Sequence, residues 1–174
     1  MKKAKSKAKP KAKAKATRKV QAIPTGYQVV TPYLSVRGAA QAIDFYKVAF
    51  GAKEVMRMPG PGGKLGHAEL RIGDALVMLA DEHGAMDFLG PQTRGGTTVL
   101  IHLYVKDVDG TARRAVDAGG ELIRPVQNQF YGDRTGSVRD PFGHIWHLAT
   151  HVEDVAPAEM SKRAAEMAAK AGAE

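Results

Sequence analysis

The chain has 174 residues, 26 of them Lys or Arg against 18 Asp or Glu, and no cysteine. That length suffices for one domain with a real core. The absence of thiols excludes disulfides, thiol catalysis and thiolate metal sites. The charge is uneven, because residues 1–19 hold ten Lys or Arg and no acid, leaving 16 basic against 18 acidic residues elsewhere. The remainder is therefore mildly acidic.

The Lys/Ala-rich tail, assigned here to residues 1–22, has nothing to bury and repels itself, so it is expected to be disordered. A dense run of cations can displace counterions from a phosphate backbone, which makes residues 2–19 a candidate non-specific nucleic-acid contact. Without interleaved aromatics the tail has no means of reading bases. No apolar h-region follows it, and the longest clean apolar run, residues 75–80, is too short to span a bilayer. A cytoplasmic protein without membrane contact is the expectation.

A first strand is predicted over 31–36, with Pro32 near its start. The first helix follows at 39–50, where Ala42, Phe45, Tyr46 and Ala49 share one face and Gly51 ends it. A strand near 52–58 leads through the Pro59–Gly63 loop, a candidate lid. The next strand, 64–72, alternates His67, Glu69 and Arg71 on one face with Ala68, Leu70 and Ile72 on the other. Gly73-Asp74 suits a hairpin turn into a strand at 75–80. Residues 81–96 read as a linker. Then come a strand at 97–105, a helix at 108–118, strands at 120–126 and 135–139, a turn at 140–143 and a strand at 144–150. A last helix is expected from Pro157 to Lys170, with Met160, Ala164 and Met167 as its apolar stripe.

The order strand, helix, strand, strand, strand thus occurs twice, about seventy positions apart. Repetition at a fixed offset implies a duplicated supersecondary unit. The expected fold is α+β, with two tandem βαβββ modules (about 27–81 and 97–152) whose curved mixed sheets enclose a cavity. This domain covers 23–154, and 155–174 form a C-terminal helix.

Several stretches resemble one known family. They are Thr31-Pro32-Tyr33-Leu34-Ser35-Val36, the helix 42–52, Gly66-His67-Ala68-Glu69-Leu70-Arg71-Ile72-Gly73-Asp74, and the run from Tyr131 to Trp146 through Asp140-Pro141-Phe142-Gly143. Residues 149–155 belong with them. The chain is similar, over about 27–168, to the vicinal oxygen chelate superfamily of glyoxalase I, bleomycin-resistance proteins and extradiol dioxygenases, and more narrowly to its PhnB-like branch. The resemblance implies a small organic ligand, a homodimer in which the site can be shared between chains, and in the metal enzymes a divalent cation. Their four ligand places map onto Thr31, Glu69, Leu100 and His147. Leu100 cannot ligate and Thr31 is a poor ligand, so no metal cofactor is expected at the usual place.

Strand parity gives the rest of the candidate lining: Tyr33, His67, Glu69, Arg71, His102, Tyr104 and His147, with Tyr131 and Arg134 at the cup mouth. Arg139 takes the place of Glu69 in the second copy by the internal offset, and is a candidate ligand-binding residue that either reads an anion or, as the favoured reading, bridges to Asp133 or Glu69. Polar groups in an apolar concavity are the ordinary makeup of a small-molecule site. Three readings of this set stand open. Glu69, His102 and His147 have the residue types of a 2-His-1-carboxylate metal triad, which would support a lyase or dioxygenase. Glu69 and His147 are alternatively candidate catalytic groups in a metal-free acid/base pair. The third reading is a cup that only binds or sequesters a ligand.

Overall fold

The computed structural model describes residues 20–171. The basic tail, and with it the expected nucleic-acid contact through residues 2–19, lies outside the described residues. No helix among the described residues is long and apolar enough to cross a membrane.

The first module consists of β1 (Tyr33–Val36), α1 (Ala39–Phe50), β2 (Lys53–Pro59), β3 (Leu65–Ile72) and β4 (Ala75–Asp81). α1 ends where Gly51 takes φ 67°, a left-handed conformation that glycine adopts without a Cβ penalty. The linker holds two short helical turns, a 3-10 turn at Gly84–Met86 and α2 (Pro91–Arg94). The second module repeats the plan with β5 (Leu100–Tyr104), α3 (Val108–Asp117), β6 (Glu121–Asn128), β7 (Asp133–Arg139) and β8 (Ile145–His151). Asp107 caps α3 by accepting from the Gly110 amide at 3.0 Å, satisfying one of the donors a helix start leaves free. α4 (Pro157–Ala171) closes the described chain.

Each module forms its own four-stranded mixed sheet, ordered β1-β4-β3-β2 and β5-β8-β7-β6. In both, the first strand runs parallel to the last and the other pairings are antiparallel. This is the tandem βαβββ architecture the sequence implies. β1 and β5 are both terminal strands, and the outward Ser35 carbonyl of β1 is met by His144 Nε2 from the turn before β8 at 3.1 Å.

The two modules share one core. Helix α1 packs on its own sheet and on α3. Its Tyr46 and Phe50 rings also reach Trp146 of β8, at centroid distances of 5.2 and 4.5 Å. Leu34, Val36, Leu70, Ile72, Val77 and Leu79 line this core from the first sheet, and Val138, Trp146 and Leu148 from the second. Asp140, in the turn before β8, is the polar centre of the junction. Its Oδ2 accepts from the Tyr46 hydroxyl at 2.7 Å and from the Trp146 indole at 2.9 Å. Its Oδ1 accepts from the Phe142 and His144 amides, both at 2.9 Å. Burial pushes the Tyr46 phenol well above its ordinary value, and the neighbouring Asp140 charge adds to this.

Arg163 of α4 donates to Glu153 and the Phe130 carbonyl outside the helix and to Glu159 within it. Met167 of its expected apolar stripe remains half-exposed.

Candidate functional site

Alternation along β3 sends Ala68, Leu70 and Ile72 into the core and leaves Leu65, His67, Glu69 and Arg71 on the sheet face turned away from the helices. Strand pairing sets the rows across that face. Met78 on β4 lies between Tyr33 on β1 and Glu69 on β3. A chain of hydrogen bonds runs over this surface. The Tyr33 hydroxyl meets His67 Nδ1 at 2.8 Å, and His67 Nε2 meets Glu69 Oε1 at 3.2 Å. The segment before β1 folds back over the same face, and the Tyr27 hydroxyl donates to both Glu69 oxygens, at 2.8 and 2.9 Å. Gln28 and Arg71 pin that segment. Gln28 donates to the Asp74 carbonyl and accepts from the Leu76 amide, while Arg71 donates to the carbonyls of Gly26 and Asp74. Glu69 is only 4 % exposed, and its bonds satisfy a carboxylate taken out of water. Burial raises the Tyr33 phenol above its ordinary value, so it stays protonated near neutrality.

The equivalent row of the second sheet is His102, His147 and Ser137. The imidazoles lie side by side with centroids 5.1 Å apart, and the buried Ser137 hydroxyl bonds His147 Nδ1 at 2.9 Å. Burial lowers the His147 pKa, and the neighbouring His102 and then Arg124 push it the same way. Nearer the end of the sheet, Asp133 accepts from the Tyr104 hydroxyl and pairs with His151 Nδ1, both at 2.7 Å. Burial alone would raise the Asp133 carboxyl, but its bonds from His151 and Tyr104 outweigh that and hold it below its ordinary value.

A cavity of about 480 Å³ opens beside the first row, between the start of β3, the end of β4 and the loops at 60–64 and 82–88. Tyr33, Pro61, Leu65, Met86 and Phe88 supply its apolar wall. The Phe88 ring packs edge-on against Tyr33 at 5.1 Å. The loop expected as a lid forms a short 3-10 turn, Pro61–Gly63, and is part of this wall.

The structure brings Tyr33, His67 and Glu69 together on one sheet and His102, Tyr104 and His147 together on the other. It does not join the two sets. Glu69 bonds only within the first module and His147 only within the second, so the expected 2-His-1-carboxylate triad does not assemble in one chain. Among the described residues, no group of three or more His, Cys, Asp or Glu is placed to hold a metal ion. Within one chain the described residues therefore offer no ready three-ligand set of this kind.

Four further positions are corrected. Thr31 precedes β1, and the β1 residue in the Glu69 row is Tyr33, two positions later. Likewise Leu100 pairs with Ile145, and His102 is the partner of His147. The counterpart of Glu69 in the second copy is Ser137 rather than Arg139. Arg139 is exposed and pairs with Glu121, not with Asp133 or Glu69. Arg134 points to the helix side of β7, where it makes a two-pronged pair with Asp109 of α3 at 2.7 Å. Arg71 stays on the expected face but is spent on backbone carbonyls. Tyr131 packs its ring edge-on against Phe130. Sequence reasoning missed Tyr27, Phe88 and Ser137. Only Ser137 carried a usable signal, its parity with Thr135 and Arg139.

A family model described as the Glyoxalase/Bleomycin resistance protein/Dioxygenase superfamily matches residues 28–148. An uncharacterized protein of Mycobacterium bovis is 48% identical over 129 residues, which cover 72% of this chain and 85% of that protein. Among solved structures, TioX from Micromonospora sp. ML1 superposes with a TM-score of 0.57 at 28% identity, covering 70% of this chain and 97% of its own. The PhnB protein from Bacillus cereus shares the fold with a TM-score of 0.56 at 18% identity, covering 71% and 99%.

Proposed function

Because the chain belongs to the glyoxalase/bleomycin resistance protein/dioxygenase superfamily, we propose that it is a PhnB-like binder of a small organic molecule, working as a homodimer. The observation that carries this reading is the 480 Å³ cavity with apolar walls beside the Tyr33–His67 pair. Such a cavity takes the apolar body of a ligand, and the adjoining polar atoms orient it. The dimer is supported by what each half lacks. The outward faces of the two sheets carry different polar rows, β5 is a terminal strand, and apolar side chains are exposed on β1 and β5. Tyr33 is 46 %, Leu100 53 % and Tyr104 60 % exposed. A free, apolar strand edge invites pairing with another chain. In a dimer, the first sheet of one protomer faces the second sheet of its partner, and one cup gains both rows.

Thermal-shift screening of a panel of small aromatic and aliphatic molecules tests the binding. A ligand selective for the native state raises the unfolding midpoint. Phe88→Ala removes one wall of the cavity and is expected to weaken any hit about tenfold. No hit across the panel, or hits indifferent to Phe88→Ala, would contradict the reading.

A further inference from the structure

The hydrogen bonds on the first sheet have a direction. A carboxylate can only accept, and Glu69 Oε1 faces His67 Nε2 at 3.2 Å, so that nitrogen carries the imidazole proton. In the neutral ring the other nitrogen is then an acceptor. His67 Nδ1 stands 2.8 Å from the Tyr33 hydroxyl, so with the ring neutral Tyr33 donates its one hydrogen to it. Tyr27 completes the arrangement by donating to both Glu69 oxygens. That leaves Glu69 only 4 % exposed and confines it to orienting His67.

Tyr33 lines the 480 Å³ cavity. With its hydrogen turned to His67, the Tyr33 oxygen has only lone pairs left for a ligand bound in that space. We propose that the Glu69–His67–Tyr33 chain fixes Tyr33 as an acceptor toward the cavity, so that the site selects ligands carrying a hydroxyl or amino donor on an apolar body. The inference rests on the cavity being a binding site. It adds the polarity of the ligand's recognised end. Tyr33 touches the ligand, whereas His67 and Glu69 are positioning residues that set which way its hydroxyl points. A ligand that offers only an acceptor meets an oxygen with no proton to give, and loses affinity through the unpaired polar contact.

Phenol and benzaldehyde are suitable probes, being similar in size and opposite in this respect. Affinities are read by NMR titration of the full chain. Wild type is expected to bind phenol at least about tenfold more tightly than benzaldehyde, and Tyr33→Phe to erase that preference. Glu69→Gln no longer requires a proton on His67 Nε2, since its amide can turn either a donor or an acceptor to that nitrogen. This lets the ring proton move to Nδ1 and frees the Tyr33 hydrogen for the cavity in part of the molecules, so benzaldehyde should gain on phenol. A purely structural role for Glu69 would weaken both probes alike. Should Glu69→Gln fail to fold, His67→Leu at the half-buried position removes the acceptor and is expected to bring the two affinities together. Equal affinities in wild type, or a preference that survives Tyr33→Phe, would overturn the inference while leaving the binding site standing. Failure of both probes to bind any form of the protein would overturn the binding reading and the inference with it.

Discussion

The two modules repeat one backbone and diverge in what they place on it. On the helix side they are alike, with apolar strand residues under α1 and α3 joined in a common core. On the other side, the row Tyr33–Met78–Glu69 in the first module answers to His102–His147–Ser137 in the second. The first is an acid, imidazole and phenol network beside an apolar cavity, once His67 is counted. The second is a pair of histidines with a buried serine. Duplication has kept the packing, which cannot vary cheaply, and has let the surface chemistry drift.

The largest test of this comparison concerns the shared core. Asp140→Ala leaves the Tyr46 hydroxyl, the Trp146 indole and two amides without their acceptor. It should cost about 3–5 kcal/mol in chemical denaturation. Tyr46→Phe removes one of those bonds and should cost about 1–2 kcal/mol. If both variants unfold like wild type, the modules do not depend on this junction.

The two ends of β8 should respond to pH in opposite senses. Asp154 and then Asp133 raise the His151 pKa. Its contribution is fully present below the unfolded value near 6.5 and is lost as pH rises through the folded pKa. The His147 pKa is lowered by burial, so that residue favours the fold above about 6.5, and the benefit is lost as pH falls through its folded value. Comparing the stability profiles of His151→Asn and His147→Asn from pH 5 to 8 checks this. The first variant should flatten the alkaline side and the second the acid side. A smaller effect is expected on the helix side of β7. Arg134→Ala breaks the partly exposed pair with Asp109, should cost under about 1 kcal/mol, and should leave ligand binding unchanged. A loss of binding would return Arg134 to the site.

Much of this was legible in the sequence where a period carried it. Alternation in β3 placed His67, Glu69 and Arg71 on one face. The helical spacing of Ala42, Phe45, Tyr46 and Ala49 identified the buried side of α1, and parity put Trp146 in the core, where it is 1 % exposed. What periodicity cannot supply is register between strands. Thr31 and Leu100 have the right parity but sit two residues early, because the register partners of Met78 and His147 are Tyr33 and His102. Arg139 misled for the same reason: the hairpin between β7 and β8 is longer than that between β3 and β4, so a fixed offset drifts. Tyr27 and Phe88 lie in irregular segments, where no pattern announces that a side chain will turn back over a sheet. Glu69 and His147 stand on separate sheets because each module pairs only its own four strands.

The claim that the two rows meet only between copies can be tested by cross-linking, because the chain has no cysteine of its own. A Tyr33→Cys, Tyr104→Cys double variant treated with a short bis-maleimide should give a covalent dimer on a denaturing gel. A cross-linked single chain, with no dimer formed, would contradict the account.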